Sequence, residues 1–157
     1  MTSVTRETLI VADASPLIGL AKIGRLGIFN SLTEAIFIPS AVWNEVVGRG
    51  GMRPEVADIV RRFQSCVRPP GAWVTAPFNA QVDAGEAAAI AMAIAHSGCL
   101  LLIDDAAGRA LAEAHDVRCI GTAGFLLRAK KAGAIIRSRA NSMRLNAKEF
   151  FCTQHLS

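Results

Sequence analysis

Apolar residues along the chain follow two rhythms. Short, nearly continuous runs at residues 9–12, 35–39, 99–103 and 117–120 read as strands buried on both faces, and a weaker run at 73–75 reads as a further strand. Between them the apolar positions recur at helical spacing. Ser15 followed by Pro16 marks a helix start, with Ser15 as N-cap and Leu17, Leu20 and Ala21 turned inward. Residues 22–30 continue that helix or form a second one after Gly24, burying Leu26, Phe29 and Leu32. Ser40 is expected to cap the next helix, whose stripe is Val42, Val46 and Val47 and whose end is Gly48, Gly50 and Gly51. An amphipathic helix at 54–65 buries Val56, Ile59, Val60 and Phe63, and further helices are expected at 83–98, 106–115 and 122–132. Strands alternating with helices predict an α/β fold with a central parallel sheet of four to five strands and helices on both faces.

Pro69-Pro70-Gly71 and Pro77 mark a loop within one domain spanning residues 1–157, because neither side could form a core alone; residues 146–157 are expected to be a short helix or tail. A length of 157 residues with 52% hydrophobic content suffices for one such core. The mean hydropathy of +0.34 points further, to apolar surface covered by a second copy or a partner chain. Residues 87–103 approach membrane-spanning length, but His96-Ser97-Gly98 interrupts them as a helix stop would, so they read as a buried helix turning into a buried strand. The first apolar run is too short for a signal peptide, and a cytosolic protein is expected. Cys66, Cys99, Cys119 and Cys152 are widely spaced and are expected to be reduced, buried thiols.

Net charge is only +4, yet residues 117–148 contain no acid and eight bases, a distribution suited to a polyanion or to an ordinary solvated helix face. The acids are more informative. Asp13 ends the first strand-like run, and Asp104 and Asp105 end the run at 99–103, the edge at which open α/β sheets bind ligands. Asp13 could equally be a turn or capping residue. Asp83-Ala84-Gly85-Glu86 has capping-box spacing, which gives Glu86 a structural task, and Glu45 sits between Val42 and Val46 where a polar residue is normally exposed. Carboxylates converging at strand ends would repel one another, and Mg²⁺ or Mn²⁺ would remove that penalty. Nothing has the His and Cys spacing of a zinc site, and His96, His115 and His155 read as helix-end or surface residues.

Taken in order, several segments resemble a PIN domain, and within that group the stand-alone bacterial and archaeal proteins related to the VapC toxins. They are Val11-Ala12-Asp13-Ala14-Ser15-Pro16-Leu17-Ile18, Ile38-Pro39-Ser40-Ala41-Val42 leading to Glu45, Asp83-Ala84-Gly85-Glu86-Ala87, Leu102-Ile103-Asp104-Asp105 with Gly108-Arg109, and Ile120-Gly121-Thr122 to Leu127. The resemblance implies a PIN-like three-layer α/β/α domain and a Mg²⁺- or Mn²⁺-dependent endoribonuclease that hydrolyses RNA phosphodiesters. It further implies the toxin component of a type II pair, with a cognate antitoxin protein and a homodimer or higher oligomer. In such a site Asp13, Glu45, Glu86 and Asp105 are catalytic, Asp13, Glu86 and Asp105 hold the metal, and Ser15 supports them. Asp104 competes with Asp105 for the fourth place, and glutamate at 86 stands where aspartate is more usual. Arg109, Arg128, Lys130 and Lys131 are the residues expected to hold the RNA backbone. The alternative is a PIN-like RNA- or protein-binding module that no longer cleaves. A phospho-acceptor receiver domain is set aside, because its acidic pair comes after the first strand.

Overall fold

The computed structural model describes residues 6–51, 53–71 and 78–133. Five strands, β1 (Glu7–Ala12), β2 (Thr33–Pro39), β3 (Val67–Arg68), β4 (Leu100–Leu102) and β5 (Arg118–Ile120), form one sheet in the order β3-β2-β1-β4-β5. Every pairing is parallel. The helices are α1 (Ala14–Lys22), α2 (Ile28–Leu32), α3 (Ser40–Gly50), α4 (Pro54–Phe63), α5 (Ala84–Ala95), α6 (Ala106–Ala114) and α7 (Thr122–Lys131). They flank the sheet, α1 against α4 and α7, α5 against α3 and α6, giving the expected three-layer α/β/α arrangement.

Strand order decides where a ligand can sit. The chain builds outward from β1 through β2 to β3, then crosses back to place β4 on the other side of β1. That reversal opens a crevice beyond the carboxyl ends of β1 and β4. Ala12 pairs with Leu102, and the Asp13 N–H donates to the Leu102 carbonyl at 3.0 Å, so the residues after both strands leave the sheet side by side. Ile10, Val11, Ile36, Ile38 and Leu101 are fully buried, which is why these strands read as unbroken apolar runs. The alanines of α5 serve the same end: Ala87, Ala89, Ala91 and Ala93 are buried and let the helix lie close to the sheet.

Several expectations are corrected. β3 went unpredicted; it has two residues, and Arg68 lies 4.5 Å over the Phe37 ring, so its sequence has no apolar rhythm. The strand expected at 73–75 falls outside the described residues. Ser15 and Ser40 are not N-caps, because α1 and α3 start earlier, directly from the strand ends, with Asp13 and Pro39 in the cap positions. Val47 is 40% exposed rather than part of the stripe, one residue past the face that Val42 and Val46 bury. Cys99 and Cys119 are free thiols as expected, though Cys119 is only half-buried, whereas Cys66 is disulfide-bonded.

At the opposite end of the sheet Glu7 fastens three elements. Its carboxylate accepts hydrogen bonds from Arg118 of β5 and, at 2.8 Å, from Arg128 Nη2 of α7. Burial raises the carboxyl pKa, but the two guanidiniums outweigh it and hold the group below the ordinary value. A depressed carboxyl contributes stability above its unfolded pKa and loses it as pH falls through the lower folded value. Glu7→Gln is therefore expected to cost about 1–2 kcal/mol at pH 7, a figure reduced because Arg118 is 55% exposed, and almost nothing at pH 2. Urea denaturation at the two pH values measures this; an equal cost at both would mean that charge is not its cause.

Candidate active site

The crevice is lined by carboxylates drawn from four parts of the chain. Asp13, at the end of β1, is pinned by its backbone bond to β4 and is 4% exposed. Its Oδ1 is sealed from solvent and has no hydrogen-bond partner. Burial pushes the carboxyl up to about 7, and the negative charges of Glu86, Asp83 and Glu45 add to that against a counteracting bond from the Ala14 N–H. An orphaned, desolvated carboxylate oxygen among like charges is a costly arrangement, and a cation is the chemistry that relieves it.

Asp83 and Glu86 come from the start of α5. Asp83 caps the helix, its Oδ1 accepting the Glu86 N–H at 2.8 Å, so the capping signal in the sequence is correct. It does not exhaust the role of Glu86. Burial first, then repulsion from Asp83 and Asp105, raises the Glu86 pKa, with a backbone hydrogen bond at Asp83 opposing and Glu45 adding a further push. Asp83, which sequence reasoning used only as a cap, thus belongs to the cluster. Its signal was the same capping spacing, since a cap at the carboxyl edge of the sheet necessarily faces the crevice.

Glu45 is brought in by the contact between α3 and α5. At Gly85 a Cβ would stand 2.8 Å from Glu45 Oε2 and 3.7 Å from Val42 Cγ2, so glycine is what lets the Glu45 carboxylate lie against the first turn of α5. Gly85→Ala is expected to push that carboxylate aside while leaving the fold intact, lowering any activity of the site roughly tenfold or more with a change of only a few degrees in Tm. Unchanged turnover in that variant would remove Glu45 from the site.

The two candidate aspartates after β4 are separated by their partners. Asp104 accepts from the Thr122 N–H at 2.7 Å and from the Thr122 hydroxyl at 2.6 Å, tying the β4–α6 turn to the start of α7. Asp105 caps α6 through Oδ2, which accepts the Gly108 N–H at 2.8 Å, and its charge reaches Glu86. Gly108 lets this turn pack closely, since a Cβ there would meet Ile103 Cδ1 at 2.7 Å and force that side chain to move. Asp105 therefore stands with the cluster and Asp104 beside it as a fastening. Ser15, in the first turn of α1, is exposed at the same edge.

The basic candidates divide by position. Arg109 comes directly after the cluster: its N–H donates to the Asp105 carbonyl, and a Cβ on Gly121 would find Arg109 Nη1 at 3.3 Å and Asp104 Oδ1 at 3.0 Å. Arg128 is at the other end of the sheet, engaged with Glu7, and Lys130 and Lys131 are in the same last turn of α7. Arg137, Arg139, Arg144 and Lys148 lie outside the described residues.

Asp13, Glu45, Asp83, Glu86 and Asp105 thus form one field of negative charge. Among the described residues no three His, Cys, Asp or Glu side chains stand in a finished metal-ligating arrangement. The donors nevertheless fit Mg²⁺ or Mn²⁺ in kind, being carboxylate oxygens without sulfur or imidazole, and the unpartnered Oδ1 of Asp13 fits in particular. His96 and His115 end α5 and α6 and take no part, their Nδ1 atoms lying 2.9 Å from the carbonyls of Met92 and Leu111.

No curated protein matches the chain. A family model described as a PIN domain matches residues 9–157, from β1 through the end of the sequence. PIN domains are generally nucleases and typically use divalent metals. The matched span takes in every element that carries an acid to the crevice, and with the all-parallel sheet that turns back at β1 it settles the kinship: the chain belongs to the PIN-domain family.

Proposed function

We propose that this PIN domain is a Mg²⁺- or Mn²⁺-dependent endoribonuclease and the toxin component of a type II toxin–antitoxin pair. The observation that carries the catalytic reading is Asp13: a buried carboxylate with an orphaned oxygen, acted on by the charges of three other acids, Glu86, Asp83 and Glu45. An ion held by Asp13, Glu86 and Asp105 would supply a water of lowered pKa and neutralise charge building on the phosphodiester. The chain's own residues do the rest. The backbone bond from Asp13 to β4 fixes the central ligand, and the caps at Asp83 and Asp105 fix the helix starts that present Glu86 and Asp105. Glu45, held at the rim, accepts a proton from the attacking water. Arg109 balances the acids on the side where a phosphate enters, and Ser15 can donate to it. Arg128, Lys130 and Lys131 engage only an RNA long enough to pass around to the far end of the sheet. Exposed Ile23, Val47, Ile94 and Leu127 support contacts with an antitoxin or a second copy.

Cleavage of labelled single-stranded RNA tests the reading. Turnover is expected with Mg²⁺ or Mn²⁺, none in chelator, and a loss of at least about a hundredfold for Asp13→Asn and Asp105→Asn. Asp104→Asn, whose amide oxygen can still accept the Thr122 N–H, is expected to stay within about tenfold of the parent. Cleavage that persists in chelator would refute the metal site; no cleavage under any condition would favour the non-cleaving binding module.

A further inference from the structure

Beside the acids lies a second feature that the catalytic reading does not use. One open hollow of about 250 Å³ is walled by Ala41, Glu45, Asp83, Ala84 and Gly85 and belongs to the acid cluster. Another, of about 220 Å³, shares the walls Ala41 and Ala84 with it, so the two adjoin at the starts of α3 and α5. The second hollow differs in character. Its surface is largely apolar, with Pro39, Pro70 and Ala88 in place of the carboxylates, and its lining residues with polar side chains are Ser40 and Asn79.

We propose that this second hollow is a subsite for one unpaired nucleobase of the RNA whose phosphate lies at the acid cluster. The inference rests on the nuclease reading for its neighbour, but its own support is geometric. A strand with a phosphate at the acids that runs toward the second hollow passes Ala41 and Ala84, and beyond them lies an apolar recess of limited volume. An acid cluster repels phosphate that lacks a cation, so an adjacent uncharged recess is where a base, rather than more backbone, is stabilised. Flat apolar faces accept a base, as proline rings and alanine methyls do here, while the paired donor and acceptor of an amide match a base edge. A paired base cannot enter such a recess, since its edge and both faces are occupied in the duplex. The subsite therefore selects single-stranded RNA and biases which nucleotide flanks the cut.

Binding and cleavage separate this inference from the one beneath it. Fluorescence anisotropy with labelled ten-nucleotide RNAs in Ca²⁺, a hard cation that neutralises the carboxylates, with strand integrity checked on a gel, would compare an intact strand, the same strand with abasic riboses, and a duplex. The intact single strand is expected to bind about tenfold more tightly than either. Ala88→Leu, which fills the recess from α5, and Asn79→Ala, a surface change that leaves folding undisturbed, are each expected to erase most of that difference. In the metal-supported reaction both should flatten the base preference at the cut, read by sequencing fragment ends. Equal binding of intact and abasic strands, or no binding of any, overturns the subsite even if cleavage is robust. Base-dependent binding that Ala88→Leu and Asn79→Ala abolish, in a protein that never cleaves, would uphold the subsite and sink the nuclease.

Discussion

Asp13→Asn is expected to make the metal-free protein more stable relative to its parent as pH rises. The Asp13 carboxyl titrates near 7 in the folded state against an ordinary 3.8, so the folded protein holds a proton that the unfolded chain has released. A raised carboxyl costs nothing below the unfolded value; its penalty grows as pH climbs through the interval and is complete above about 7. At full size it is on the order of 4 kcal/mol, an upper figure because local relaxation and water entry reduce it. Asparagine has nothing to ionise. The difference in Tm between variant and parent, measured without metal, should move in the variant's favour by roughly 5–10 °C between pH 5 and pH 8. A constant difference across that range would show that Asp13 is not strained by its charge. Added Mn²⁺ should then raise the parent's Tm at pH 8 and leave that of the variant nearly unchanged, because only the parent has an ionised centre to offer.

A loss of stability of similar size is expected from the packing of the core at Phe29. Its fully buried ring meets Phe63 of α4 edge-on at 5.4 Å and Phe125 of α7 at 4.9 Å. One side chain of the short helix α2 thus joins three helices. Phe29→Ala should cost about 3–5 kcal/mol, from lost burial and the cavity left behind, and lower the Tm by on the order of 10 °C. Ile23→Ala, at a site 55% exposed, should change stability by less than about 0.5 kcal/mol and serves as the control. A small effect of Phe29→Ala would mean that α2 collapses onto the vacancy.

Legibility in the sequence depends on which signals are local. β1, β2 and β4 were legible because a strand covered on both faces is apolar nearly throughout, and Asp13 and Asp105 because an acid directly after such a strand has few other places to be; β5 was found in the right place but not as a strand buried on both faces, since at the sheet edge Arg118 is exposed and Cys119 and Ile120 are half-buried. β3 was not, since two residues paired to Ile38 and Pro39 at the sheet edge leave no pattern. Glu45 looked like a solvated helix residue; its position depends on Gly85, about forty residues later, letting two helices meet, and no local rule carries that. Asp104 and Asp105 were indistinguishable as letters. Their partners, Thr122 for one and Gly108 for the other, tell them apart.

The place of β1 between β2 and β4 also sets an order of assembly. β2 pairs with β1 from nearby, Val11 with Phe37, whereas β4 pairs Val11 with Leu101, closing a loop of about ninety residues. A chain emerging from the ribosome carries Asp13, Glu45 and Glu86 well before it carries the strand that pins Asp13 in place. Asp13 and Glu45 are synthesised early, Asp105 only after β4, and the cluster is gathered late. On the proposed ribonuclease reading, this order would keep the growing chain inert beside the messenger and the ribosome that are still making it.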